Sequence, residues 1–316
     1  MPIKNKPLPP SSPPQSPKPA LPEMQWNITP PRHTMDDLIL TSSTKEQLLD
    51  IISYFKNREL LFTKWNLAER FADQDGLAVN LYGPPGIGKT VAAHAIASAL
   101  QLPMICVDYA EIESKYVGET AKNLSALFRT AAEQNAAIFF DEADALLSKR
   151  VTNMTSATDV SVNQTRSVLL TLLNQYRGVI LFATNFIQNF DAAFLRRIRY
   201  HVYFPLPDVT LRERLWRMYI PEEMPCRADF CELAEKFDGI SSSDIANAVL
   251  TAAIRTARAK ESFVSQERLE EAIQSTLTVK QENRGPDISV KRRLLSTEEA
   301  DSILNQNKNM EANTIL

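Results

Sequence analysis

Apolar residues are spaced along this chain in two alternating rhythms. Short apolar runs at 77–82, 104–107, 137–141, 179–183 and 200–204 have the length and content of buried strands. Between them the spacing is helical. Leu124, Leu127, Phe128 and Ala131 recur at i, i+3, i+4 and i+7, and Val168, Leu169, Leu172, Leu173 and Tyr176 repeat the pattern. An earlier helical face, Leu48, Ile51, Ile52 and Phe55, follows Thr44-Lys45-Glu46-Gln47, which has capping-box spacing. Strands alternating with helices predict an α/β fold with a parallel sheet covered on both faces.

The rhythm changes after Phe204-Pro205-Leu206-Pro207. Two prolines stop the last strand, because proline cannot donate to a ladder. From there to about residue 280 only helical periodicity is left, which predicts a small all-α domain. The expected boundaries are 34–206 for the large domain, 207–280 for the helical one and 281–316 for a polar, aperiodic tail. Residues 1–33 hold 11 of the chain's 19 prolines, interleaved with Ser and Lys. Such a segment buries too little apolar surface to offset its ordering entropy, so it reads as a disordered tail. Trp26 is the exception there and is expected to pack onto the folded body.

Composition narrows the function classes. The 316 residues carry a net charge of −3, so nothing draws the whole chain to nucleic acid or anionic lipid. Cys106, Cys226 and Cys231 have no metal-ligand spacing and suit a reducing compartment. No apolar run reaches membrane-spanning length and the proline-rich start lacks a signal-peptide core, which predicts a cytoplasmic protein.

The chemistry begins at Gly83-Pro84-Pro85-Gly86-Ile87-Gly88-Lys89-Thr90-Val91. Three glycines let the backbone curl so that successive amides point at an anion, and the helix that follows adds its positive end. Lys89 is expected to reach the β- and γ-phosphates of a nucleotide, and the Thr90 hydroxyl to ligate Mg²⁺. The flanking strand and helix supply the context this motif requires. Farther on, Ile138-Phe139-Phe140-Asp141-Glu142 is an apolar strand ending in two carboxylates. Ligands in open α/β sheets bind at the carboxyl ends of strands. Asp141 is expected to hold Mg²⁺ through water, and Glu142 to polarise the attacking water. Asp144 has a weaker claim, as a turn or helix residue.

These motifs resemble the AAA+ ATPases, from about Asp36 to Leu277. The branch they most resemble holds the ATPase domains of membrane-bound zinc proteases and the protein-disassembly ATPases. The resemblance also rests on Ser114-Lys115-Tyr116-Val117-Gly118-Glu119, Ala183-Thr184-Asn185 and Phe194-Leu195-Arg196-Arg197-Ile198-Arg199-Tyr200. It implies a P-loop NTPase three-layer αβα sandwich followed by a helical lid, with ATP and Mg²⁺ as ligands. Asn185 then matches the polar residue that senses the γ-phosphate and helps place the lytic water. Arg196 and Arg199 match paired arginine fingers that reach a neighbouring subunit's ATP, with Arg197 competing for the assignment. Lys115, Tyr116 and Val117 match a pore loop that grips a protein substrate at the centre of a hexameric ring, and Ser148–Ser161 stands where a second pore loop is kept.

The chain departs from the family pattern in places. Met35-Asp36-Asp37-Leu38-Ile39-Leu40 lacks the usual glycine, which leaves a backbone contact from Ile39 to the base. Gly239-Ile240-Ser241-Ser242-Ser243-Asp244 replaces a Gly-Ala pair with hydroxyls where the lid closes on nucleotide. No second-sensor arginine and no His-Glu-x-x-His protease motif occur.

The expectation is therefore a homohexameric, ATP-driven protein remodeller. A rival reading, a nucleic-acid motor or loader, predicts a basic face interleaved with aromatics, and the sequence shows none. Relatives of the pachytene checkpoint ATPase, which unfold HORMA-domain proteins, are a further candidate class. That group tends to keep a second-sensor arginine and a Trp-type pore loop, both missing here.

Overall fold

The computed structural model describes residues 26–71, 76–107, 119–148, 157–186 and 190–283. Five parallel strands and one antiparallel edge strand form the main sheet, in the order β1-β3-β4-β5-β2-β6. They are β1 (Ile28–Thr29), β2 (Leu77–Tyr82), β3 (Met104–Val107), β4 (Ala137–Phe140), β5 (Val179–Thr184) and β6 (Tyr200–Tyr203). The inner strands β2, β4 and β5 are nearly continuous in their apolar residues because both faces are covered, whereas the edge strand β6 buries only Val202 fully.

Alternation along β2 shows the three layers. Leu77, Val79 and Leu81 join a core with the helices Ser42–Lys56 and Lys89–Ala99. Ala78 points the other way, into a core with the helices Glu119–Glu133 and Ala157–Gln175. Inside the second core, Phe140 of β4 stacks on Phe182 of β5 with ring centroids 5.2 Å apart.

Order begins ahead of the predicted Thr34. The edge strand β1 pairs antiparallel with β3, Ile28 opposite Ile105 and Thr29 opposite Met104. Trp26 packs against the second core, as its apolar ring demands. A two-residue strand flanked by Pro30 and Pro31 carries no period, so the sequence pattern could not announce it. It covers the edge of β3. Residues 1–25 lie outside the described residues.

Beyond β6 the chain is mainly helical: Val209–Tyr219, Phe230–Lys236, Ser242–Ala259 and Gln266–Asn283. Asp208, Asp229 and Ser241 cap the first three through their side chains. Arg212, only 3% exposed, donates to the carbonyls of Pro207 and Ala234 and to Asp238 Oδ1, at 2.8, 2.9 and 2.8 Å. These bonds satisfy a buried guanidinium and staple the helical segment to its entry. One departure from the all-helical expectation is a parallel pair, β7 (Cys226–Arg227) with β8 (Val264–Ser265). The compact body runs to Ile273, and a second unit starts at Gln274 within the last described helix. Among the described residues, no helix is long and apolar enough to cross a membrane.

Candidate nucleotide site

The loop after β2 is shaped by glycines where side chains do not fit. Gly83 and Gly86 have φ of 148° and 75°, and Gly88, at 92°, caps the helix Lys89–Ala99. A Cβ on Gly83 would stand 2.2 Å from the Phe204 carbonyl oxygen. A Cβ on Gly88 would meet nothing within 4 Å, so the loop opens into free space there.

Lys89 is 9% exposed, and its ammonium donates to the carbonyls of Gly83 and Pro84 at 2.8 Å each and to Asn185 Oδ1 at 2.9 Å. Burial pushes the Lys89 pKa down, against the raising influence of Asp144 and Asp141. A buried cation held by neutral oxygens fits a site that receives anionic oxygens. Beside it the Thr90 hydroxyl donates to Asp141 Oδ2 at 2.9 Å. The helix start and the end of β4 thus bring one hydroxyl and one carboxylate together, a donor set suited to a hard divalent cation that keeps several waters.

Glu142 is exposed next to this pair and adopts φ of 48°, unusual for a residue with a side chain. Its amide donates to Asp141 Oδ1 at 3.0 Å. Such a conformation persists where its surroundings over-determine it and collects at functional sites.

Asn185 follows β5, the neighbour of β4 in the sheet. Its place is fixed by Asp144, whose carboxylate accepts from the Asn185 amide at 3.1 and 3.0 Å and from the Phe186 amide at 3.1 Å. Asp144 is therefore more than a helix starter. The signal that finds it is spatial, since its partners lie 41 and 42 residues away.

These groups border one cavity of about 440 Å³. Pro85, Gly86, Ile87, Gly88 and Val91 line its phosphate end, with Lys89, Thr90, Asp141, Glu142 and Asn185. Ile39 and Leu40 line it from the chain before the sheet, where the base contact is expected, and Leu215, Met218 and Ala246 bring apolar surface from the helical segment. Ser242 and Ser243, the hydroxyls that replace a Gly-Ala pair, are also in its wall. The Ser243 amide donates to the Gly86 carbonyl at 2.9 Å, and Ser242 Oγ lies 2.9 Å from Tyr219 Oη. The lid thus touches the phosphate loop through backbone.

The three arginines stand elsewhere. Arg196, Arg197 and Arg199 line a separate cavity of about 280 Å³ with Gly76, Leu77 and Tyr176. Gly76 and Gly83 bracket β2, so the arginines lie about 20 Å of strand from the loop. Arg197 is engaged locally, by Asn174 Oδ1 at 2.9 Å and the Ala193 carbonyl at 3.0 Å. Arg196 is exposed, and Arg199 rests on Tyr54. Lys115, Tyr116 and Val117 lie outside the described residues, as does most of 148–161, although Ser148 itself accepts from Arg166 at 2.6 Å.

Comparison with known proteins agrees with this geometry. The family described as "ATPase family associated with various cellular activities (AAA)" matches residues 79–206. The chain is 29% identical over 241 residues to the ATP-dependent zinc metalloprotease FtsH of Ureaplasma parvum, covering 75% of this chain and 32% of that protein. It is 31% identical over 239 residues to cell division protein C of Sulfolobus acidocaldarius, covering 71% and 63%. It is 34% identical over 215 residues to the 26S proteasome regulatory subunit 8 homolog of Saccharomyces cerevisiae, covering 65% and 52%. The chain thus spans one third to under two thirds of the length of these relatives.

Proposed function

From the premise that residues 79–206 are an AAA ATPase domain, we propose that this protein hydrolyses ATP at the 440 Å³ cavity and uses the energy to remodel other proteins as a ring of identical subunits. The observation that carries the reading is the convergence of Lys89 on Asn185 and of Thr90 on Asp141 at the mouth of one glycine-shaped loop.

In this reading Lys89 exchanges its present oxygen partners for the β- and γ-phosphate oxygens, to which the loop amides also donate. Thr90 and Asp141 would hold Mg²⁺, which supplies charge neutralisation on those oxygens. Glu142 orients a water and takes its proton as the water attacks the γ-phosphorus, while ADP leaves with the bridging oxygen's electrons. Asn185, fixed by Asp144, contacts the γ-phosphate. Arg196 and Arg199 act in trans on a neighbour's nucleotide, since their own site lies at the far end of β2. A planar guanidinium that stays charged suits the charge spread over three oxygens. This arrangement is a ring contact, and six subunits is the number proposed.

The protein substrate is proposed from the relatives. Two of those named above are a metalloprotease and a proteasome regulatory subunit homolog. This chain has only three histidines, His33, His94 and His201, and no His-Glu-x-x-His. The role proposed for this chain is mechanical, with Tyr116 as a flat, sequence-blind grip.

Glu142→Gln tests the chemistry: nucleotide binding is retained and turnover drops to background. Full turnover in that variant overturns the assignment. Tyr116→Ala tests the coupling: basal hydrolysis persists and unfolding of a protein retained by Glu142→Gln rings stops. Continued unfolding overturns the pore role.

A further inference from the structure

Arg199 is exposed, yet its guanidinium is held against aromatic rings. Its Nη1 donates to the Tyr54 hydroxyl at 3.0 Å, and its Cζ lies 4.5 Å from the Tyr54 ring centroid and 5.7 Å from that of Tyr200. A guanidinium placed on aromatic rings loses rotamer freedom and keeps its charge.

Tyr54 is itself held firmly. It is 7% exposed, sits near the end of the helix Ser42–Lys56, and meets Phe62 and Tyr200 edge-on at 5.9 and 6.0 Å. Burial pushes its phenol up, against the lowering influence of Arg199, so the hydroxyl stays neutral at physiological pH. The start of the same helix is pinned to the sheet, where Thr44 donates to the Tyr203 carbonyl at 3.3 Å. A buried ring on a docked helix is a rigid mount, whereas Arg199 alone is a long flexible chain on an exposed turn.

We propose that Tyr54 is the positioning residue for Arg199, setting where that guanidinium stands for the neighbouring subunit's nucleotide. The inference rests on the reading of Arg199 as a trans arginine. It also divides the labour within the pair. Arg199 is pre-placed by an aromatic mount, Arg196 is presented from the last turn of the helix Ala192–Arg197, and Arg197 is spent on Asn174. An arginine ordered before the encounter loses less entropy when it binds.

The test is a double-mutant cycle on the full-length protein. Turnover by single-turnover ATP hydrolysis and nucleotide affinity are measured for Tyr54→Phe, Tyr54→Leu, Arg199→Ala and the Tyr54→Phe/Arg199→Ala pair. Tyr54→Phe keeps the ring and removes only the hydroxyl, so the fold survives. The expected loss for Arg199→Ala is roughly 10³-fold in rate. The expected loss for Tyr54→Phe is about three- to tenfold, the worth of one hydrogen bond, and Tyr54→Leu loses more. Affinity for nucleotide changes less than about twofold, and Tyr54→Phe adds nothing in the Arg199→Ala background. A merely structural Tyr54 would act equally in both backgrounds. Additive losses, or a Tyr54→Phe variant at the wild-type rate beside a slow Arg199→Ala, overturn the positioning role alone. Full turnover in Arg199→Ala overturns the trans-arginine reading and the role of Tyr54 with it.

Discussion

Replacing Gly86 by alanine probes the contact between the phosphate loop and the helical segment. Gly86 has φ of 75°, where a Cβ costs about 1–2 kcal/mol. The added carbon would stand 1.9 Å from Ser243 Oγ, 2.9 Å from Ser243 Cβ and 3.0 Å from Ser241 Oγ. Rotation of the Ser243 side chain relieves the Oγ clash but not the Cβ one. Ser243 is at the start of a helix whose cap Ser241 is 1% exposed, so relieving the Cβ clash needs the backbone to retreat and breaks the hydrogen bond from the Ser243 amide to the Gly86 carbonyl. That bond is worth about 1 kcal/mol. Together the terms come to about 2–3 kcal/mol, roughly 30- to 150-fold in an equilibrium constant. Titration with a fluorescent ADP analogue is expected to show that loss of affinity for Gly86→Ala. Ser243→Gly in the same background removes the steric partner and is expected to restore about fivefold, leaving the backbone strain. Affinity within threefold of wild type, or no restoration by Ser243→Gly, would refute the reasoning.

Three more expectations follow from the same geometry. Gly83→Ala forces a Cβ against the Phe204 carbonyl and combines φ strain with overpacking, so urea unfolding is expected to show a loss of about 2–5 kcal/mol; a loss under 1 kcal/mol counts against the loop geometry. Asp144→Asn presents an amide NH₂ or a single carbonyl where two backbone amides now donate, so turnover is expected to fall about tenfold or more with nucleotide affinity nearly unchanged; unchanged turnover would remove Asp144 from the site. His94 accepts from the Arg32 amide through Nδ1, and burial, His33 and Arg32 lower its pKa. The unfolded chain therefore binds the proton more readily, and stability is fully present above about pH 6.5 and declines as pH falls below it. His201 acts in the same sense, because burial lowers its pKa as well. Thermal unfolding between pH 7.5 and 5.5 is expected to show the decline, and His94→Asn to lessen it; a flat profile contradicts the assignment.

The sequence announces what is local and periodic. The parallel strands are legible because burial on both faces of β2, β4 and β5 leaves mostly apolar runs and β6 is a short aromatic run stopped by proline, and the phosphate loop is legible because glycine spacing and a following lysine are a backbone requirement. Pairings between distant residues are not legible. Nothing near Asp144 says that its carboxylate will hold the turn at Asn185, and Tyr54 lies 145 residues before Arg199. The Ser242-Ser243 pair reads as a departure in the sequence, yet in three dimensions the Ser243 amide donates to the Gly86 carbonyl while the Ser243 side chain stands close against Gly86. The edge strand at Ile28–Thr29 is too short to have a rhythm and sits among prolines. The stretch around Tyr116 is outside the described residues, so its reading stays with the sequence.

The proposed function requires that each nucleotide site be completed by a neighbouring subunit. Mixing two inactive variants tests it most directly. Glu142→Gln subunits lack the proposed base and keep their arginines, whereas Arg196→Ala/Arg199→Ala subunits keep Glu142 and lack the arginines. Each alone is expected to hydrolyse ATP at background rate. Mixed in equal amounts under conditions that exchange subunits, they are expected to recover activity, because interfaces form in which an intact Glu142 faces intact arginines. A mixture no more active than its two components would contradict a shared site.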